Sequence, residues 1–290
     1  MKQELIDFYH EYGYVVIRNV VEPELLDQQL QNIYQLLLRF YEVSEELKQI
    51  ERPWSSLLFH EEIINFRKRD KHLFSGFYDS IQSSVALTRI VTSKELIRCV
   101  AELSGLEPCE ISSMQQQVRV DVPYDKQNAL QWHQDWSYFP ANHFGLTSMV
   151  CWLPLVEPND HIGLPQVYAK SHKEGAAARL SEKMDLVENL PKEKNYEFIV
   201  SEQIPVNNDT DLEQYQNQSI KLNLGDVLFF SIFLFHRSGI NSSNMVRFSC
   251  QNRFHGATSQ DFVPFRLVSK SNPYVERLVE ERKRFYLSRS

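Results

Sequence analysis

The sequence predicts an α+β protein with a mainly β core, and three observations carry that prediction. Residues 1–110 read as mostly helical. From residue 111 the chain breaks into short apolar runs with turn residues between them, the pattern of a sandwich or a barrel closed on itself. Strands and helices do not alternate, and neither G-x-x-x-x-G-K-[ST] nor G-x-G-x-x-G occurs, which argues against a nucleotide-binding α/β sheet. The chain is therefore read as one domain over 1–290, with helical support in 1–110 and core strands in 111–172 and 219–256. Residues 173–218 form an insertion or lid, and 272–290 a C-terminal helix.

The elements follow from local signals. "KQELIDFYHEYGYVVIRNVV" gives a short helix, a glycine stop at Gly13 and a β-rich run from Tyr14 to Val21. "EPELLDQQLQNIYQLLLRFYEV" has Pro23 near a helix start and Leu25, Leu30, Ile33, Leu36 and Leu37 at helical spacing. A further helix, 93–106, has Ser93 as its N-cap and Gly105 near its end. The strands are "SSMQQQVRVDV", "ALQWHQDW", "LTSMVCWLPLV", "LPQVYA", "QSIKLN", "DVLFFSIFLF" and "VRFSCQNRFH". The polar stretch between His172 and Ile220 is either a solvated insertion or a lid over a pocket. The tail "NPYVERLVEERKRFYLSRS" reads as a charged amphipathic helix with a solvated face.

With 290 residues, 42% hydrophobic and 24% charged, the chain can bury a sizeable core. A formal net charge of −7 argues against a nucleic-acid or anionic-membrane partner and for a small-molecule substrate. The 4 cysteines are widely spaced with no C-x-x-C pair, so neither a zinc knuckle nor a disulfide scaffold is implied. The N-terminus carries acids where a secretory signal needs basic residues, and no run approaches the roughly 18 apolar residues of a membrane span. The C-terminal "SRS" is a poor peroxisomal address. A cytoplasmic protein is expected, and nothing in the sequence specifies its oligomeric state.

The informative stretch is "WHQDWSYFP", residues 132–140. An H-x-[DE] pair is cheap: 9 histidines and 38 acids give roughly 1.2 matches by chance. His60/Glu62 lies in the helical-looking "LFHEEIINF", where i and i+2 face different ways. His172/Glu174 lies where a strand gives way to the polar insertion, so nothing aims both groups at one point. His133/Asp135 sits in a strand-like segment, where i and i+2 share a face and can meet one ion. From this pair alone, a buried hydrogen-bonded aspartate is the plainer reading.

The balance shifts about 100 residues downstream. The run Val227–Phe235 reads as a buried strand ending in His236, followed by the turn residues Ser238, Gly239 and Asn241. In the next strand Arg247, Ser249, Gln251 and Arg253 alternate with Val246, Phe248, Cys250 and Asn252, so Arg247 is expected to share a sheet region with His236. Two histidines and a carboxylate supply the facial triad of a non-haem Fe(II) oxygenase. An arginine aimed into the same barrel suits a co-substrate carboxylate, and Ser238 can add a hydroxyl donor.

At these residues the sequence resembles the phytanoyl-CoA dioxygenase family of Fe(II)/2-oxoglutarate-dependent oxygenases. The matching pieces are His133-Gln134-Asp135, "GLPQVYAKSH" at 163–172, Gly225-Asp226, His236 and Arg247, with "FYHEYGYVVIRNVVEPELL" like the family's opening. Lys170 stands where the family's P-G-S-H element has glycine. The resemblance implies a double-stranded β-helix (a cupin-like jelly roll) with flanking helices. It implies Fe(II) on His133, Asp135 and His236, with 2-oxoglutarate meeting Arg247 and Ser238 through its distal carboxylate. O₂ is the oxidant and ascorbate an accessory reductant. It further implies release of succinate and CO₂ with hydroxylation of an unactivated C–H in a small metabolite. Related halogenases replace the aspartate, so retention of Asp135 favours hydroxylation. Desaturation, cyclisation, epimerisation or an acyl-CoA substrate stay open, as does a non-catalytic metal-binding jelly-roll module.

Substrate contacts are read from patterning. Gln115, Gln117 and Arg119 share one face of "MQQQVRV", and Trp136, Tyr138 and Phe139 follow the metal pair. Gln117, Arg119, Trp136 and Tyr138 are the candidates. Trp132 and Trp152 read as core, and His143, His161 and His255 as ordinary histidines.

Overall fold

The computed structural model describes residues 1–125, 132–135, 147–159, 161–175, 212–259 and 262. The expected C-terminal helix, most of the 173–218 insertion, and Trp136, Tyr138, Phe139 and His143 lie outside the described residues, as does the side chain of Gln115. The helices are α1 (Gln3–Tyr12), α2 (Pro23–Phe40), α3 (Glu45–Lys48), α4 (Leu57–Arg69), α5 (Lys71–Gln82), α6 (Val85–Val91) and α7 (Lys94–Ser104). The strands are β1 (Tyr14–Ile17), β2 (Ile111–Asp121), β3 (Met149–Pro154), β4 (Pro165–Ala169), β5 (Gln216–Ser219), β6 (Val227–Ser231), β7 (His236–Ser238) and β8 (Arg247–Gly256).

Among the described residues the strands form a five-stranded sheet, β1-β6-β3-β8-β2, and a three-stranded sheet, β5-β4-β7, with every pairing antiparallel. Alternation along the strands feeds two cores. Val118, Val120, Cys151, Leu153, Phe229, Phe248 and Cys250 face the helices, packing with Phe59, Ile63, Phe77 and Ile81. Val150, Trp152, Leu228 and Phe230 face the smaller sheet, meeting Val167, Ala169 and Leu234. A strand covered on both faces reads as continuously apolar, which explains "MVCWLP" in β3, where all six residues are buried. β8 differs: its second face carries Arg247, Ser249, Gln251, Arg253 and His255, so one flank of the interior is polar.

Several expected boundaries hold. Pro23 begins α2, Ser93 precedes α7 without a side-chain cap bond, and Gly105 ends α7 in the left-handed region. Gly13 ends α1 at φ 82, and a Cβ there would collide with the ring of His172. Glycine is needed twice over at that position. The strand expected over "QSIKLN" is instead β5 at Gln216–Ser219.

The run Val227–Phe235 is not one strand. β6 stops at Ser231, whose N–H donates to Gly13 O (2.9 Å) and whose Oγ accepts from Phe233 N (3.2 Å); Leu234 N closes the turn on Ser231 O at 2.9 Å. The chain crosses to the other sheet and resumes as β7 at His236. Ser171 and His172 hold this corner: Ser171 Oγ accepts from Phe235 N at 3.0 Å, and His172 Nε2 lies 3.0 Å from His10 O. Lys170, at φ 70, keeps the left-handed turn that glycine would make easily; its N–H donates to Tyr12 O, and its ammonium pairs with Glu11 at 2.5 Å.

Gly225-Asp226 is a structural device. Gly225 O accepts from Val20 N (2.8 Å) and Val21 N (3.0 Å), while buried Asp226 accepts from Asn19 N (3.1 Å) and Asn223 N (2.8 Å) and pairs with Arg18 at 2.5 Å. The pair pins the end of β1 beside β6. Arg18 is exposed, so the backbone donors carry most of the effect. Asp226→Ala is expected to cost about 2 kcal/mol by stranding those donors, read as a lower denaturation midpoint with unchanged m-value. Among the described residues, no helix is long and apolar enough to cross a membrane.

Candidate metal centre

His133 and His236 are joined by an isolated antiparallel bridge, His133 N to His236 O at 3.1 Å and His236 N to His133 O at 3.0 Å. Directly opposed residues in such a bridge put their side chains on one face, and the two rings lie 4.2 Å apart. Asp135 then follows in a tight turn rather than on a regular strand. The pleat expected to align His133 and Asp135 is therefore replaced by one bridge and one turn. Gln134 fixes that turn, donating from Nε2 to Phe233 O (2.6 Å) and Gly175 O (2.8 Å).

The three side chains converge. Asp135 Oδ1 lies 3.4 Å from His133 Nε2 and 3.4 Å from His236 Nε2, and one ligand atom from each residue falls within a 4.8 Å cluster. Ligands at right angles, about 2.1 Å from one ion, would stand about 3 Å apart, so this donor set fits a metal with open positions left over. His236 Nδ1 lies 2.9 Å from Leu234 O; donation there leaves the Nε2 lone pair for a ligand. Phe230 covers the His236 ring at 4.5 Å.

Arg253 completes the arrangement. Its Nε donates to Asp135 Oδ2 at 2.8 Å, which leaves Oδ1 toward the histidines. Burial by itself would raise the Asp135 pKa, but the Arg253 guanidinium, with the two histidine rings beside it, holds the carboxyl well below its usual range. An ionised, oriented carboxylate beside two imidazoles is a ready divalent-metal site. Arg253→Leu is expected to weaken Fe(II) or Co(II) affinity by about 10- to 100-fold in a metal titration, the usual cost of losing an outer partner. Unchanged affinity would show that the ion pair serves the fold only.

Arg247 lies in the larger sheet and His236 in the smaller, so the expected shared sheet region is instead two facing walls. The walls touch through Arg247 Nη1, which donates to Gly239 O (2.8 Å), Ile162 O (3.3 Å) and Gly163 O. Gly163 has φ 81, and a Cβ there would meet Arg247 Nη1 at 2.7 Å, which accounts for glycine at the head of "GLPQVYAKSH". The other edge of the guanidinium donates to Asp121 Oδ2, from Nε at 3.2 Å and Nη2 at 2.9 Å. Ser238 lies two residues from His236 on β7, on the same side of the strand, and is partly buried.

Gln117 and Arg119 lie on the β2 face opposite to Val118 and Val120. Gln117 bridges Tyr78 Oη (3.0 Å) and Gln251 Nε2 (2.6 Å), and Arg119 Nη2 donates to Asp121 Oδ1 at 3.2 Å. Trp152 is core, whereas Trp132 stacks near Tyr168 at 4.1 Å under the Arg237 guanidinium. His255 is buried with Nδ1 2.7 Å from Ser148 Oγ, and burial lowers its pKa to about 3. His60 is likewise not a ligand: its Nδ1 accepts from Val246 N at 3.1 Å, and burial lowers its pKa to about 4. Sequence patterning passed over Asp121 and Arg253 as site residues, although each continues an alternation already visible, 117-119-121 and 247-249-251-253.

The epimerase SnoN, solved in complex with Fe3+, alpha ketoglutarate and nogalamycin RO, is similar to this chain at TM-score 0.57 and 17% identity, over 88% of this chain and 84% of that one. SnoK, a non-heme alpha ketoglutarate dependent carbocyclase from nogalamycin biosynthesis, gives 0.54 at 15% identity, covering 90% and 88%. EctD from S. alaskensis with bound Fe gives 0.52 at 13%, covering 88% and 77%. At such identities the likeness is one of fold, and it identifies the two facing sheets as a jelly roll of this type. No curated protein matches the chain in sequence. The phytanoyl-CoA dioxygenase (PhyH) family model, however, matches residues 9–249, a span that includes β1, the His133/Asp135 turn, His236 and Arg247. By that match, the chain belongs to the phytanoyl-CoA dioxygenase family.

Proposed function

We propose that this protein is an Fe(II)- and 2-oxoglutarate-dependent dioxygenase that hydroxylates an unactivated C–H of a small metabolite. The observation that carries the reading is the His133/Asp135/His236 cluster, two of its members buried and the third partly so, with its ligand atoms within 4.8 Å, inside the frame of this family. Bound Fe(II) and 2-oxoglutarate supply O₂ activation coupled to oxidative decarboxylation, giving succinate, CO₂ and an oxidised C–H.

The chain's own residues prepare that chemistry. His133 and His236 each offer an imidazole Nε2, and Asp135 offers one oxygen while Arg253 retains the other. His236 and Gly239 are three residues apart, at most roughly 10 Å along an extended chain, and Arg247 Nη1 donates to Gly239 O, a reach that suits a short dicarboxylate. Arg247 and Ser238 are assigned to the distal carboxylate of 2-oxoglutarate. Gln117, Arg119, Trp136 and Tyr138 are assigned to the primary substrate, whose C–H they hold near the reacting centre while the apolar wall of Phe230 and Trp152 excludes water. The net charge of −7 favours a small metabolite over a CoA thioester, whose phosphates call for clustered cations.

The test uses anaerobic protein with Fe(II). Adding 2-oxoglutarate should produce the weak visible charge-transfer band of its chelate, and succinate should form when O₂ is admitted. Bound iron without the band would favour a metal-holding jelly-roll module. With a turned-over substrate, label from ¹⁸O₂ in the product supports hydroxylation. An unlabelled product would favour desaturation, cyclisation or epimerisation, the last two being activities named among the similar structures.

A further inference from the structure

We propose that Asp121 is a built-in competitor for the co-substrate: its carboxylate holds the edge of Arg247 that the distal carboxylate of 2-oxoglutarate takes, and so sets the affinity for that dicarboxylate. The inference rests on the co-substrate reading given above.

Arg247 is 4% exposed, and its two ends are held differently. The Nη1 end is gripped by backbone carbonyls of Ile162, Gly163 and Gly239, which cannot withdraw without moving two chain segments. The Nε/Nη2 edge presents two parallel donors, the geometry that suits a carboxylate, and it is occupied by a side chain. Asp121 and Arg247 are directly opposed in the β2–β8 register, so the pair is built into the sheet.

A buried guanidinium without a counter-charge is costly, which accounts for an aspartate on this inner face. Asp121 also has a second cation to stay with, since its Oδ1 accepts from Arg119 at 3.2 Å. Releasing Arg247 therefore leaves Asp121 paired. Ser249 adds a further sign of an absent acceptor. It is 1% exposed, stands directly opposite Arg119 and two residues from Arg247 on the same face, and its Oγ has no hydrogen-bond partner among the described residues. A buried hydroxyl beside a shared carboxylate suits a site that receives a second carboxylate.

The experiment is anaerobic titration of Fe(II)-loaded protein with 2-oxoglutarate, followed by the visible band, beside a separate metal titration. Asp121→Asn keeps shape and removes charge; its 2-oxoglutarate Kd should fall about tenfold with metal affinity unchanged. Should that variant fold poorly, Arg119→Gln/Asp121→Asn preserves the charge balance, and it should bind 2-oxoglutarate more tightly than Arg119→Gln alone. An unchanged or weaker affinity in these folded variants overturns the proposal and makes Asp121 a positioning residue for Arg247. A wild type that binds iron but no 2-oxoglutarate overturns the proposed function and this inference together.

Discussion

Asp135→Ala is expected to lose measurable metal binding and all 2-oxoglutarate turnover, and to cost the fold about 3–5 kcal/mol as well. The first effect follows from its position: Oδ1 is the atom common to both histidine contacts, at 3.4 Å from each. The second follows from Arg253, which is 7% exposed and would lose its Asp135 partner. Asp135 is 1% exposed and its carboxylate is the partner of a buried cation, so it serves the fold as well as the metal. Metal titration and chemical denaturation on the same variant read the two effects separately. Asp135→Ala/Arg253→Leu removes both members of the ion pair and should recover much of the stability without recovering metal. Retained metal affinity in Asp135→Ala would remove it from the ligand set.

Periodicity made the helices and the paired strands legible, because burial on one face leaves a repeat of 3.6 or 2 in the sequence. α2 shows this with Leu30, Ile33 and Leu37 buried and Leu25 and Leu36 at the edge of the core, and β8 with Arg247 to Arg253 against Phe248 and Cys250. What periodicity cannot show is where an apolar run changes sheets. Val227–Phe235 looks like one buried strand because both β6 and β7 neighbours are covered; the break is made by hydrogen bonds at Ser231, not by a change in polarity. The triad was legible as residue types, but its geometry was misread, since a lone bridge between His133 and His236 does the work assigned to a pleat. Long-range ion pairs were least legible. Asp121 and Arg247 are 126 positions apart, and only the register of β2 on β8 makes them neighbours.

That register also determines what Arg247 substitutions should do. Arg247→Ala is expected to raise the 2-oxoglutarate requirement by about 10- to 100-fold, the value of a lost charge-assisted fork, while leaving metal affinity within a few-fold. It should also destabilise the protein by about 2–4 kcal/mol, because three carbonyls, of Ile162, Gly163 and Gly239, lose their donor. Arg247→Lys separates the two contributions. An ammonium can serve some of those carbonyls and still balance Asp121, so stability should largely return; it cannot offer parallel donors to a carboxylate, so the weak 2-oxoglutarate binding should persist. Stability and co-substrate affinity would then move apart across the two variants, as a binding residue requires. If both returned together in the lysine variant, charge alone would be what the site uses. If neither variant changed the 2-oxoglutarate requirement, Arg247 would be a clamp between the two sheets, and the co-substrate's distal carboxylate would have to meet another cation of the same polar wall, with Arg119 the first to test.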